Sequence, residues 1–197
     1  MRKVALSALL LATIMIHCKF KDDYTNKIEL NRTGLLSYYA RQEYTPLDSN
    51  EFKKFKGLDF FPISTDYRAS GQIIWLPQIQ FIQLSHTGGD SRPYMKVAEI
   101  HFKFNNISYS LSAYQNEQLR MNRKLFVPFT DLTNGKTSYS GGRYLDVVYA
   151  PQSNTCEVDF NYAYAPACAH AHSFSCPVVP DVNRLNIEIP AGEKTKQ

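Results

Sequence analysis

The sequence predicts a mainly β protein, an antiparallel sandwich or partly open barrel with one or two N-terminal helices. Short apolar runs separated by Gly, Pro or Asn turns recur from Leu58 onward, and this spacing is typical of antiparallel sheets. Two neighbouring runs alternate strictly between apolar and polar residues, which indicates half-buried strands. The 197 residues suit one domain with a single core.

The first residues have the composition of an export signal. Arg2 and Lys3 precede an apolar run at residues 4–16, which is too short for an ordinary membrane span. Cys18 follows this run, where a bacterial lipoprotein is cleaved and its new N-terminal cysteine is acylated. We therefore interpret residues 1–18 as a signal peptide with a lipobox, and Cys18 as the lipidation site.

His17 departs from the small residue that usually precedes a lipobox cysteine. A plain cleaved signal and an uncleaved signal anchor therefore stay open as alternatives. No Ala-x-Ala cleavage site lies nearby, which favours lipidation. We expect a lipoprotein of the cell envelope, held to the membrane by its lipid and facing the periplasm or the exterior.

Helical periodicity precedes the strands. Residues 19–26 are expected to form a polar tether, and a single domain is expected to span residues 27–197. Apolar spacing predicts a helix over residues 27–41, with Thr25 as a possible N-cap. A second short helix is predicted to begin after Ser49.

A β-hairpin is the clearest strand signal. Ala98 to Phe104 and Ile107 to Tyr114 alternate on either side of Asn105 and Asn106. This pattern directs Ile100 and Phe102 inward and leaves His101 on the wet face. Further strands are predicted at Gln72–Leu76, Ile79–Leu84, Lys124–Phe129, Tyr144–Tyr149, Glu157–Tyr162 and Leu185–Ile189.

The charge pattern argues against nucleic acid as a partner. The net charge is +4, and loss of Arg2 and Lys3 with the signal lowers it to about +2. The remaining basic residues are scattered rather than gathered on one stripe. No phosphate loop, dinucleotide fingerprint, HExxH or GxSxG motif occurs, so nucleotide, nicotinamide, metallopeptidase and serine-hydrolase functions lose support and no cofactor is expected.

Several ordered segments of the last third carry the most specific signal. They read GRYL at 142–145, DFNYAYAPACA at 159–169, SCP at 175–177, NRL at 183–185 and AGE at 191–193. This arrangement resembles the domain-of-unknown-function family 1684, whose members share GRYL, DFN.AYNP.CA, CP, N.L and AGE. The resemblance identifies a family rather than a reaction.

Polar residues of these segments are the candidate site. Asp159 and Asn161 lie two apart on a predicted strand, so they share a face that Arg143 can reach from the preceding strand. Such a charged pair either holds a chain crossing or binds a ligand. Asn183 and Glu193 come from matched segments and can converge there. The candidate ligand-binding residues are Arg143, Tyr144, Asp159, Asn161, Asn183 and Glu193.

The loop between Cys168 and Cys176 supports two interpretations. Both cysteines belong to the family pattern, and an exported compartment favours a disulfide between them. His170 and His172 give the loop a spacing that can bind zinc or copper. The family pattern lacks these histidines, so they are weak metal candidates.

Binding of a small polar ligand, or a structural role, is the function that these residues favour. Aromatic side chains around a few polar groups suit such ligands. One alternative is a hydrolase that uses Asp159 or Glu193 as a general base. Another is a metal-handling protein that uses the loop from Cys168 to Cys176.

Lipidation of Cys18 is directly testable. Labelling of cells with a fatty-acid analogue should mark the wild-type protein and not Cys18→Ala, because acyl chains that anchor the chain to the membrane are attached at this thiol. Fractionation should move the variant out of the membrane pellet. Equal labelling of both proteins would sink the assignment.

Overall fold

The structure of the protein, a computed structural model, describes residues 23–195. The predicted signal peptide, its lipidation site Cys18 and the first residues of the predicted tether lie outside the described residues. Within residues 23–195, no helix has the length and apolar character needed to cross a membrane.

Two helices precede the sheet. Helix α1 occupies residues 23–40, and α2 spans Ser49–Lys54. Residues 23–26, assigned to the tether by their polarity, are already helical, so Thr25 lies inside α1 and does not cap it. A capping box begins α2, where Asp48 Oδ1 accepts from the Glu51 amide at 2.8 Å and Glu51 Oε2 accepts from the Asp48 amide at 2.9 Å.

The described residues contain eight strands and a third helix, α3, at Glu117–Met121. Six strands form one antiparallel sheet in the order β6-β5-β4-β3-β2-β7, while β1 pairs with β8 separately. The edge strands β6 and β7 lie beside each other, so the sheet is a nearly closed barrel. The predicted class is therefore confirmed. The strands are β1 Asp59–Phe60, β2 Arg68–Ser85, β3 Ser91–Phe104, β4 Ile107–Gln115, β5 Lys124–Phe129, β6 Arg143–Val148, β7 Thr155–Asp159 and β8 Glu193–Lys194.

The predicted hairpin is formed by β3 and β4. Phe104 faces Ile107 across a two-residue turn, in which Asn105 and Asn106 have φ of 48° and 62°. Positive φ at both central positions is the requirement of a type I′ turn, which asparagine tolerates. The alternation of β3 buries its apolar residues as predicted, whereas Ile107 at the turn is 57% exposed.

Four other predicted strands differ from the structure. Residues 72–76 and 79–84 belong to one long strand, β2, whose register against β3 shifts between Trp75 and Gln80. Residues 185–189 are not a strand. Strand β7 ends at Asp159 because the chain turns into a 3-10 helix, Phe160–Tyr162, that the Asp159 side chain caps.

The core fills the barrel and is closed by the C-terminal segment. Phe160 is fully buried and contacts Phe129 edge-on, with 4.9 Å between ring centroids. Gly192 has φ of 76°, and a Cβ there would lie 2.6 Å from the Phe160 carbonyl oxygen and 2.5 Å from that of Ala163. Glycine therefore lets the segment before β8 pass directly over the 3-10 helix.

Candidate functional site

Arg143 pairs with Asp131, so the prediction that it pairs with Asp159 is wrong. Nη2 of Arg143 lies 2.7 Å from Asp131 Oδ2, and both side chains are fully buried. The other carboxylate oxygen of Asp131 accepts from the amide and hydroxyl of Thr133 at 2.8 and 2.6 Å. The pair is a closed interior contact, and its guanidinium is held by a loop rather than by a neighbouring strand.

The guanidinium of Arg143 also binds the C-terminal segment. Nη2 donates to the carbonyl of Ile189 at 2.8 Å, while Nη1 donates to the carbonyls of Ala191 and Glu193. Burial lowers the pKa of Arg143, and the nearby Asp131 charge opposes that shift. This network therefore ties β6 to the strand that carries Glu193, which is a structural role.

Asp159 and Asn161 also form an enclosed network. Asp159 Oδ1 accepts from the amide and the side chain of Asn161 at 3.0 and 2.8 Å, and its Oδ2 accepts from the Tyr24 hydroxyl at 2.8 Å. The Asn161 side chain bonds both backbone groups of Ser64. These contacts fasten α1 and the turn before β2 to the end of β7.

The Asn183 side chain hydrogen-bonds backbone groups that no neighbouring strand pairs. Its Oδ1 accepts from the Ser112 amide at 2.7 Å, and its Nδ2 donates to the carbonyls of Ser112 and Pro128 at 2.9 and 2.7 Å. Asn183 is completely buried. Its amide thus satisfies backbone groups of β4 and β5 where these strands diverge, since unpaired buried groups are costly.

Tyr144 is a core residue with a satisfied hydroxyl. It is 5% exposed, and its hydroxyl donates to the Pro177 carbonyl. Its ring meets Phe126 edge-on at 4.8 Å and Tyr164 at 5.8 Å between centroids. Burial raises the pKa of this phenol. Nothing in its contacts leaves the hydroxyl available to a ligand.

Glu193 borders an open cleft. Its carboxylate is 2% exposed, with Oε2 accepting from the Ala165 amide at 3.0 Å and Oε1 lying 2.7 Å from His170 Nε2. The His170 ring packs edge-on against Tyr39, with 5.0 Å between ring centroids. The histidine therefore stands between a buried carboxylate and solvent.

The cleft beside this pair has a volume of about 380 Å³, within the range of small-molecule sites. We call it the His170 cleft. Its walls come from the segment after α2, from the loop after β7 and from strand β8. Its lining includes Leu47, Phe55, Leu58, Tyr139, His170 and Lys194.

The cysteine loop forms one wall of this cleft. Cys168 and Cys176 are free thiols in the structure, and the Cys168 amide donates to Cys176 Sγ at 3.2 Å. Burial raises the pKa of the Cys176 thiol to about 12. The predicted disulfide is not formed here and stays a prediction. In residues 23–195 no group of three or more His, Cys, Asp or Glu side chains is placed to hold a metal.

Two side chains that hold the buried networks, those of Asp131 and Tyr24, are not among the residues that the sequence singles out. Asp131 belongs to the segment Phe126–Asp131, which also matches the family pattern, and the pattern Asp131-Leu132-Thr133 is a local turn signal. Tyr24 precedes the predicted helix and gives no local sign of its bond to Asp159. Nothing local in the sequence links His170 to Glu193, which lies 23 residues away.

Comparison with known proteins finds one family. The family model described as "Protein of unknown function (DUF1684)" matches residues 53–194. The solution NMR structure of an uncharacterized protein from Haloarcula marismortui is similar, with 31% identity and a TM-score of 0.69. That match covers 90% of this chain and 97% of the other. No curated relative matches the chain.

Replacement of Asp131 should be far more damaging than replacement of a surface carboxylate. Asp131→Asn leaves the Arg143 guanidinium buried without its paired carboxylate, which should lower the free energy of unfolding by about 3–5 kcal/mol. The matched control is Asp181→Asn, because Asp181 pairs with Arg184 at 2.6 Å on the exposed surface. It should leave the urea midpoint unchanged. Equal midpoints for the two variants would refute a buried ionic tie.

Proposed function

The chain belongs to the family described as "Protein of unknown function (DUF1684)", and from this premise we propose that its domain binds a small polar ligand in the His170 cleft. We further propose that the chain is a lipoprotein of the cell envelope, attached to the membrane through Cys18. The proposed ligand is a small hydroxyl-bearing molecule that enters the cleft from the aqueous side.

The pairing of His170 with Glu193 carries this proposal. Glu193 accepts one hydrogen bond on each oxygen, and the bond to His170 favours the tautomer with the proton on Nε2. In residues 23–195 no group hydrogen-bonds Nδ1. Nδ1 of the ring is thus available to a ligand hydroxyl, which can both donate and accept a hydrogen bond, as binding sites require few but well-placed polar groups.

The cleft combines apolar walls with a polar rim. Leu47, Phe55 and Leu58 supply apolar surface, while Tyr139 and Lys194 supply polar groups. A sugar or polyol presents both kinds of surface, because its ring or chain carbons alternate with hydroxyls. This match favours a hydroxyl-bearing ligand over a purely apolar one.

The contacts of Asp159 and Glu193 weaken the alternative that either carboxylate acts as the general base of a hydrolase. Asp159 accepts three hydrogen bonds, Glu193 accepts one on each oxygen, and the two residues are 3% and 2% exposed, so water has little access to either carboxylate. Arg143 and Asn183 lie in enclosed networks. Of these residues, Arg143 supports the cleft from behind, because it bonds the backbone of the segment that carries Glu193.

We propose that the disulfide between Cys168 and Cys176 forms in the oxidising envelope. The two thiols would release two electrons and two protons to a disulfide oxidant there. Closing this nine-residue loop would stabilise the fold by about 2.5 kcal/mol in the chain-entropy model. It would also fix the loop that carries His170.

Peptide mapping of protein purified from the envelope tests this bond. Digestion without reductant should release the Cys168 and Cys176 peptides as one linked species that separates on reduction. Cys156 should remain alkylatable after denaturation. Recovery of both loop cysteines as free alkylated thiols would contradict the proposal.

A thermal-shift screen of the mature protein with polyols and monosaccharides tests the ligand proposal. Saturation at 100 Kd stabilises a protein by about 2.7 kcal/mol, a rise in Tm of roughly 5 to 10 °C at this chain length. His170→Gln keeps a donor for Glu193 but removes the Nδ1 atom of the ring, so the shift should disappear. The control is His101→Gln, since the His101 side chain is 50% exposed on β3 and does not line the cleft.

The control variant should respond to the ligand as the wild type does. If no polyol or sugar shifts the melting temperature, or if His170→Gln responds in full, the His170 cleft is not the binding site. A ligand whose shift is lost only in His101→Gln would contradict the proposal in the same way.

A further inference from the structure

A second cavity lies where the barrel fails to close. Strand β6 forms its ladder with β5, and β7 with β2, and within residues 23–195 no ladder joins β6 to β7. Helix α1 covers the gap and leaves a cavity of about 670 Å³ beneath it. We call it the seam cavity. Its lining includes Gly34, Tyr38, Asp146, Asp159, Tyr162 and Tyr164.

The helical wall of this cavity contains a glycine that packing does not explain. Gly34 lies in the interior of α1, where glycine is destabilising relative to alanine. A Cβ built at Gly34 would have no atom within 4 Å. Glycine is therefore not demanded by a close approach of the backbone, and its effect is to leave the cavity wall open.

The charge of the seam cavity is not balanced by its own cations. Lys124 lies 3.4 Å from Asp146, and the cavity's Glu157 is paired with Arg68. Asp159 is 3% exposed and, in residues 23–195, no cation forms an ion pair with it. Its hydrogen bonds come from neutral groups of Tyr24 and Asn161.

Arg68 is close to this carboxylate but serves other partners. Its guanidinium lies over the Tyr24 ring, 5.0 Å from the centroid, and its Nη2 binds Glu157. The charges of Arg68 and Arg32 also act on Asp159, but each guanidinium is shared with another carboxylate, Glu157 or Glu29. The buried charge of Asp159 is therefore only partly offset, so a cation in the cavity would gain from its field.

Tyrosine side chains complete the surroundings that a cation prefers. Tyr38, Tyr162 and Tyr164 line the cavity, and aromatic rings attract ammonium groups through their quadrupole. The Tyr164 hydroxyl donates to Asp146 Oδ1 at 3.2 Å, and burial raises its pKa well above the usual value. The phenol therefore stays neutral and keeps that carboxylate in place.

From this arrangement we infer that the seam cavity binds a small organic cation of the ammonium class, between the tyrosines and Asp159. A neutral sugar fits less well, since the three carboxylates of the cavity already have internal hydrogen-bond or ion-pair partners. These partners do not fully offset the negative charge of the three carboxylates. The site is separate from the His170 cleft and does not depend on a ligand there.

Choline and its uncharged isostere 3,3-dimethylbutan-1-ol test the inference by calorimetric titration of the mature protein. The two probes have the same shape, so the charge alone distinguishes them. Choline should bind saturably and at least tenfold more tightly than the alcohol. Asp159→Asn, checked for folding by its unfolding transition, should reduce this preference to less than threefold.

A filling substitution tests the location. Gly34→Phe places a ring in the seam cavity and should weaken choline binding at least tenfold. Ala40→Phe adds the same side chain at an exposed position of α1 that does not line the cavity, and it should bind choline as the wild type does. Because neither change touches His170, ligand binding in the His170 cleft should survive both.

Several results would overturn the inference. They are the absence of saturable choline binding, equal affinity for choline and the alcohol, or unchanged choline affinity in Gly34→Phe. Tighter binding of a neutral monosaccharide than of choline would also overturn it, in favour of a sugar site. Loss of binding in the His170 cleft with intact choline binding would affect only the proposed function.

Discussion

The buried guanidinium of Arg143 is the constraint on which the closed end of the barrel depends. Its counter-charge comes from the loop after β5, and its other hydrogen-bond acceptors are carbonyls of the C-terminal segment. Each of these acceptors satisfies a donor of the desolvated arginine, and each lost partner would leave a buried donor unsatisfied. The segment that carries Glu193 is therefore held at a fixed place against β6, and the position of the His170 cleft follows from it.

Buried polar side chains in this fold hydrogen-bond backbone groups that have no partner in a helix or a sheet. Asn183 supplies the hydrogen bonds of a strand where β4 and β5 diverge, and Asn161 does the same for the turn at Ser64. Asp159 caps the 3-10 helix that ends β7. These residues look like a catalytic group in the sequence because buried polar networks and active sites use the same residue types.

The two cavities lie where these networks meet solvent. Glu193 is fixed from behind by the Arg143 network and holds His170 at the cleft, while Asp159 is fixed by α1 and faces the seam cavity. Ala165 lines the His170 cleft where the family pattern usually has asparagine. An amide there would add a donor and an acceptor to the cleft wall, so relatives with asparagine are expected to select a different ligand.

Local chemistry in the sequence determined the mainly β class, the hairpin with its two asparagines and the short second helix, because turns, caps and alternation depend on neighbouring residues. The family segments also marked the buried polar residues. Only the tertiary structure decided their partners. Asp131 lies 12 residues before Arg143 and Asp159 lies 16 after it. These similar separations along the chain do not show which carboxylate pairs with the arginine. The packed backbone made that choice, since the guanidinium goes where carboxylate and carbonyl oxygens converge out of water.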